Sequence, residues 1–134
     1  MIQFSHVTRV YEGGYAALSD VSLSVEKGEF VFLTGASGAG KTTLLKHIYM
    51  DEFPTSGQVR VSRYDSRSVQ LQHRDVALLR REIGIVFQDF RLLHDRDVFE
   101  NVALAVRVTG RPERVVRNRV FEVLAETGEV LKKG

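Results

Sequence analysis

The chain has 134 residues, 43% hydrophobic and 27% charged, enough apolar material for one domain with a packed core and too much for a disordered segment. There is no cysteine, which excludes a disulfide framework and a thiolate metal site, and no apolar run approaches the ~18–20 residues needed to span a bilayer. The net charge of +2 comes from scattered arginines and lysines with no nucleic-acid recognition motif beside them, so a solvated surface and no nucleic-acid partner are expected. Met1-Ile2-Gln3-Phe4-Ser5-His6 has no charged region leading into an apolar stretch, so no secretory signal is expected.

Residues 2–11 and 17–25 read as two strands. Ile2, Phe4, Val7 and Val10 roughly alternate with polar residues, and Leu18, Val21, Leu23 and Val25 do so more cleanly. Gly13-Gly14 is the turn signal between them, and Lys27-Gly28 a second turn. The apolar run 29–34 then predicts a buried parallel strand.

That run enters Gly35-Ala36-Ser37-Gly38-Ala39-Gly40-Lys41-Thr42, which fits G-x-x-x-x-G-K-S/T, a phosphate-binding loop. The glycines are expected to accept positive φ, so that the chain turns tightly and successive N–H groups point inward as an anion nest. Lys41 would bring a positive charge to the β- and γ-phosphates, and the Thr42 hydroxyl would supply a Mg²⁺ ligand. From Lys41 to Met50 apolar residues fall at 44, 45, 48 and 49, the spacing of a helix, whose N-terminus adds its dipole to the phosphate site.

Beyond it, 51–57 reads as a loop with Pro and Gly punctuation, 58–63 as a short alternating strand, and 66–74 as a loop or short turn. Asp75 is placed to cap a helix through about Arg81, with Val76, Leu78 and Leu79 inward. Ile83-Gly84-Ile85-Val86-Phe87 predicts a second buried strand ending at Gln88, and 89–96 a charged loop. A helix from about Val98 to Val108 carries Val98, Val102, Leu104, Ala105 and Val108 and stops at Gly110. Pro112 opens a last helix with Val115, Val116, Val120, Val123 and Leu124, and Gly128 is expected to end it. None of the four histidines has metal-ligand spacing to another, which makes them surface or packing residues.

Three features resemble the ABC-type ATPases. The loop Gly35 to Thr42, with Thr43 after it, is similar to their Walker A motif. Ile85-Val86-Phe87-Gln88 is placed like their Q-loop. Tyr11 lies 24 residues before Gly35, where that family carries its adenine-stacking aromatic. Within the family, Phe30-Val31-Phe32-Leu33-Thr34-Gly35, the stretch 83–89, and Leu92-Leu93-His94-Asp95-Arg96 running into 98–103 look most like the cell-division branch.

The resemblance implies an α/β fold, a P-loop NTPase of the ABC type, with an antiparallel β-subdomain, an incomplete parallel core sheet and the start of the helical subdomain. It implies one domain in part: β-subdomain and P-loop core over about 1–88, Q-loop and partial helical subdomain over about 89–134. ATP would be held by Tyr11 (Tyr15 being the other aromatic available), Gly35, Ala36, Ser37, Gly38, Ala39, Gly40, Lys41, Thr42, Thr43 and Gln88, with Thr42 and Gln88 near Mg²⁺. It further implies a homodimer in the intact protein, sited on the inner face of the cell membrane through an integral membrane partner. That partner would be a cell-division component or, on the alternative reading, a transport permease.

The family's signature motif and its Walker B strand, ending in Asp-Glu, are not found between residues 1 and 134. No residue is assigned as catalytic. The expectation is a shortened product that binds nucleotide and does not hydrolyse it alone, and a purely non-hydrolysing binding fragment stays open as a third reading.

Overall fold

The computed structural model describes residues 1–89 and 91–127, the side chains of Gln70 and Leu71 aside. They form two compact units, the first Met1–Gly84 and the second beginning at Ile85.

In the first unit, strands β1 (Ile2–Val10), β2 (Ala16–Val25), β3 (Ser56–Val61) and β4 (Tyr64–Asp65) make an antiparallel sheet in the order β2-β1-β3-β4. The expected hairpin of β1 and β2 is present, with Phe4 opposite Leu23 and Val7 opposite Val21.

Phe4 and Val7 are both buried although they stand three positions apart, and strict alternation would put them on opposite faces. The register shifts between them, and His6 sits there at φ 48°; Asp20 on β2 does the same, resetting the face between Leu18 and Val21. At the bulges side-chain hydroxyls replace ladder partners: the His6 amide donates to Ser22 Oγ at 2.9 Å and the Asp20 amide to Thr8 Oγ1 at 3.0 Å.

Helices α1 (Lys41–Ile48), α2 (Ser66–Leu71) and α3 (Arg74–Arg81) supply the rest of this unit's regular structure. Leu44, Val69 and Leu79 from them join Phe4, Val7, Leu18, Val59 and Val61 in one core. Apolar burial of this kind stabilises by about 25 cal/mol per Å².

Helix α2 falls where a loop was expected. Asp65 caps it, accepting the Arg67 amide at 2.9 Å, and Val69 anchors it in the core. Asp75 is not the cap of α3 but lies in its first turn, behind His73; Leu78 is 39% exposed, while Leu79 carries the inward position.

The runs 29–34 and 83–87 are not strands among the described residues: each lacks a ladder neighbour. Phe30 and Phe32, two residues apart, still meet edge to face at 5.0 Å, as neighbours on one side of an extended segment do.

The second unit holds α4 (Val98–Arg107) and α5 (Glu113–Glu126), near the expected bounds. Asp97 caps α4, accepting the Glu100 amide at 2.8 Å. Val116, Val120 and Leu124, at helical spacing on α5, pack with Ala103, and Phe99, Val102 and Val106 lie against them. The inward face of α4 is therefore centred on Ala103, not on Val98, Leu104 and Val108, which are exposed. Arg107 clamps the two helices, donating to Glu100 at 2.6 Å and to Glu113 at 2.7 Å. The expected end of α5 at Gly128 lies outside the described residues.

Candidate functional site

The loop 35–40 leads directly into α1, and its geometry depends on two glycines. Gly38 at φ 81° and Gly40 at φ 95° adopt the left-handed region, where a side chain is strained. Gly35 does not: its φ is ordinary, and its role is space, since a Cβ there would lie 3.2 Å from Ala39 Cβ. The expectation that all three glycines serve by positive φ holds for two of them.

Gly40 is also the N-cap of α1. No side chain caps this helix and no acidic residue stands in its first turn, so its amide end keeps its positive partial charge facing the loop. The ladder of α1 starts with the Leu44 amide on the Gly40 carbonyl at 2.8 Å, and the Ala39 amide closes the loop's own turn on the Ala36 carbonyl at 3.1 Å. Lys41 Nζ reaches back over the loop, donating to the carbonyls of Gly35 and, at 2.9 Å, Ala36. The ammonium thus lies against the carbonyls that open the loop.

Thr42 is exposed in the first turn and its hydroxyl makes no hydrogen bond among the described residues. A free hydroxyl oxygen beside Lys41 is a hard donor of the kind Mg²⁺ accepts, along with waters and phosphate oxygens. Thr43, next along, is partly buried and turned toward Tyr11, whose phenol oxygen is 3.3 Å from Thr43 Oγ1.

Tyr11 and Tyr15 flank the tight turn after β1 as a parallel pair, ring centroids 6.4 Å apart with 9° between planes. The Tyr11 amide donates to the Tyr15 carbonyl at 2.8 Å. The Tyr15 hydroxyl donates to the Gly38 carbonyl at 3.2 Å, tying the turn to the loop. Both aromatics named in the sequence therefore stand beside the loop 35–40 or the first turn of α1. Tyr11 is partly buried and Tyr15 is 59% exposed.

Gln88 belongs to the second unit and is exposed. Of the other histidines, His6 pairs with Asp20 at 2.8 Å, whereas His47 is a packing residue of α1: 1% exposed, its Nδ1 2.7 Å from the Thr43 carbonyl and its ring tilted over Phe4.

Glu52 and Arg9 were not legible as site residues. Glu52 stands in the punctuated loop after α1 and accepts the Tyr11 hydroxyl at 2.6 Å, a contact between residues 41 apart in the chain. Among the described residues no group of three or more His, Cys, Asp or Glu side chains could hold a metal ion.

A glycine-turned loop, an uncapped helix end and a lysine folded over them, set beside an antiparallel sheet, define the N-terminal part of a P-loop NTPase of the ABC type. The ABC transporter family model matches residues 18–133, and the chain belongs to that family. It is 44% identical over 128 residues to the cell division ATP-binding protein FtsE of Escherichia coli (strain K12), covering 96% of this chain and 57% of that one. It is 44% identical over 124 residues to FtsE of Bacillus subtilis (strain 168), covering 92% and 54%. The chain thus spans about half the length of the curated relatives it matches.

Two solved structures are similar over 93% of this chain and 56% of theirs. One is a dimeric structure of MJ0796, described as a bacterial ABC transporter cassette, with TM-score 0.83 and 34% identity. The other is a dimeric post-hydrolysis state of the ATP-binding cassette MJ0796 bound to ADP and Pi, with TM-score 0.82 and 32% identity.

Proposed function

We propose that the chain binds Mg·ATP at the loop 35–42 and serves as the ATP-binding part of an FtsE-like ABC complex. The observation that carries this is the left-handed Gly40 at the uncapped start of α1, with Lys41 folded over the loop carbonyls. Amides of the loop and first turn would surround the β- and γ-phosphates, and Lys41 would exchange its two carbonyl partners for phosphate oxygens. Thr42 would supply a ligand to Mg²⁺, which when bound neutralises phosphate charge. Tyr11 would stack on the adenine, with Tyr15 beside it.

In the whole protein two copies would pair over two ATP molecules. They would act on an integral membrane partner, FtsX-like in a cell-division complex, from the inner face of the membrane. Among the described residues no helix is long and apolar enough to cross a membrane. The surface for that partner would be the Q-loop region and α4–α5. These 134 residues supply positioning groups for ATP and no assigned base, so the chain alone would bind without turnover.

A second reading is an ABC transport ATPase with a permease as partner. It is supported by the 34% identity to MJ0796, described as a bacterial ABC transporter cassette. The site chemistry is the same in both.

The experiment is a titration of the purified protein with ATP, ADP and tripolyphosphate in Mg²⁺, with a phosphate-release time course alongside. Binding of all three, ATP more tightly than tripolyphosphate, and no release above background are expected. No binding of any of them would overturn the proposal, and turnover would overturn its non-hydrolysing part.

A further inference from the structure

We propose that Glu52 is a positioning residue for base recognition, its carboxylate anchoring the Tyr11 ring to the phosphate-binding helix. This rests on the reading of Tyr11 as the ring that stacks on the base.

Tyr11 sits just past the end of β1, at the edge of a turn whose tip, Glu12 to Gly14, is exposed. Besides the parallel Tyr15 ring and the Arg9 guanidinium, what fixes the Tyr11 ring is its own polar end. That end is held firmly: the phenol donates to Glu52 Oε2 at 2.6 Å, within the short range of hydrogen bonds to an ionised acceptor. The same phenol oxygen is 3.3 Å from Thr43 Oγ1, on the first turn of α1 and two residues after Lys41. One contact therefore links the candidate base ring to the helix that carries the candidate phosphate groups.

Glu52 is itself gripped. Its side chain is 17% exposed and faces Arg9 Nε at 3.8 Å through one oxygen and Lys46 Nζ at 3.9 Å through the other. Its backbone amide meets the Lys46 carbonyl at 3.4 Å. Arg9 donates through Nη1 to the Phe53 carbonyl at 2.9 Å and lays its guanidinium 5.0 Å from the Tyr11 ring centroid. Arg9 Nε is buried and makes no hydrogen bond, so Glu52 is the anion that balances it. The carboxylate thus holds the ring twice, by the phenol directly and by the arginine against the ring. A ring fixed before the ligand arrives loses less conformational freedom on binding.

A merely structural Glu52, fastening the turn after α1, would affect every ligand of the loop alike. A positioning role affects only ligands with a base. The test is calorimetric titration of Mg·ATP and Mg·tripolyphosphate into wild type and into Tyr11→Ala, Tyr11→Phe, Glu52→Ala, Glu52→Gln and the Tyr11→Phe/Glu52→Ala double variant.

Tyr11→Phe and Glu52→Ala should each weaken ATP about three- to tenfold, the scale of an oriented aromatic contact, and leave tripolyphosphate within about twofold. The double variant should be no weaker than the worse single one, because both remove the same contact. Glu52→Gln, whose amide oxygen still accepts from the phenol, should keep most of the ATP affinity. Equal loss for ATP and tripolyphosphate in Glu52→Ala would overturn the proposal, as would additive single effects.

If Tyr11→Ala weakens ATP while Tyr11→Phe and Glu52→Ala do not, the base-stacking reading stands and the role of Glu52 falls. If Tyr11→Ala leaves ATP unchanged, the base-stacking reading itself falls and takes this inference with it. Should Glu52→Ala not fold, Tyr11→Phe, which keeps both the ring and the carboxylate, decides alone.

Discussion

A Cβ placed on Gly40 would lie 2.5 Å from the carbonyl oxygen of Ala17, so β2 and the first residue before α1 touch backbone to backbone. That approach ties the loop 35–40 to the sheet at a point where only glycine fits. It also fixes where the amide end of α1 sits.

Gly40→Ala should therefore lower stability by about 1–3 kcal/mol from the left-handed backbone alone, with the contact to Ala17 adding to it. Gly84→Ala is the control, since a Cβ there meets nothing within 4 Å and its φ is ordinary. Denaturant midpoints of the two variants check this. Equal midpoints would mean that the close approach is not maintained in solution.

The clamp at Arg107 predicts a pH dependence confined to α4 and α5. The hydrogen bond from Arg107 holds the Glu113 carboxyl below the usual carboxylate range, and the same partners push the Arg107 guanidinium further up. A depressed carboxylate pKa contributes stability that is present above the unfolded value, about 4.3, and is lost as pH falls through the folded value. Amide protection in α4 and α5, measured relative to the intrinsic exchange rate at each pH, should fall below about pH 4. Glu113→Gln should remove that acid-side change, and Arg107 stays protonated throughout.

The run before the loop predicts association. Phe30 is 84% exposed, Phe32 79% and Val31 56%, in a segment with no ladder partner among the described residues. Contiguous exposed apolar side chains and unpaired backbone groups seek a second chain. Light scattering should show mass rising with concentration, and Phe30→Ser/Phe32→Ser should bring it back toward the monomer. A monomeric wild type at high concentration would contradict this.

The glycine turn and helix α1 were legible because Gly38, Gly40 and the apolar residues after Lys41 stand at fixed spacing in a short stretch of chain. The β1–β2 hairpin was legible because Gly13-Gly14 joins two alternating runs. The bulges at His6 and Asp20 showed only indirectly, as a three-residue step between Phe4 and Val7 and again between Leu18 and Val21. Helix α2 was read as a loop because its residues are mostly polar and its cap, Asp65, is itself the last residue of the two-residue strand β4.

The runs 29–34 and 83–87 have the composition of strands, but a ladder depends on a neighbour that composition does not supply. Glu52 was invisible because its meaning lies in Tyr11, 41 residues away. Asn101 was invisible likewise: its side chain accepts the Leu93 amide at 2.8 Å and donates to the carbonyls of Leu93, Arg96 and Asp97, organising the loop before α4.

If Lys41 and the amides around it bind the phosphates of ATP, calorimetric titration of Mg·ATP into wild type and Lys41→Ala will separate the two proteins. Lys41 is held by loop carbonyls outside the core, so the variant should fold with an unchanged thermal midpoint. Its ATP affinity should fall about tenfold or more, the scale of a lost charge-assisted contact to phosphate. An unchanged affinity in a folded Lys41→Ala variant would mean that the loop 35–42 does not hold the phosphates.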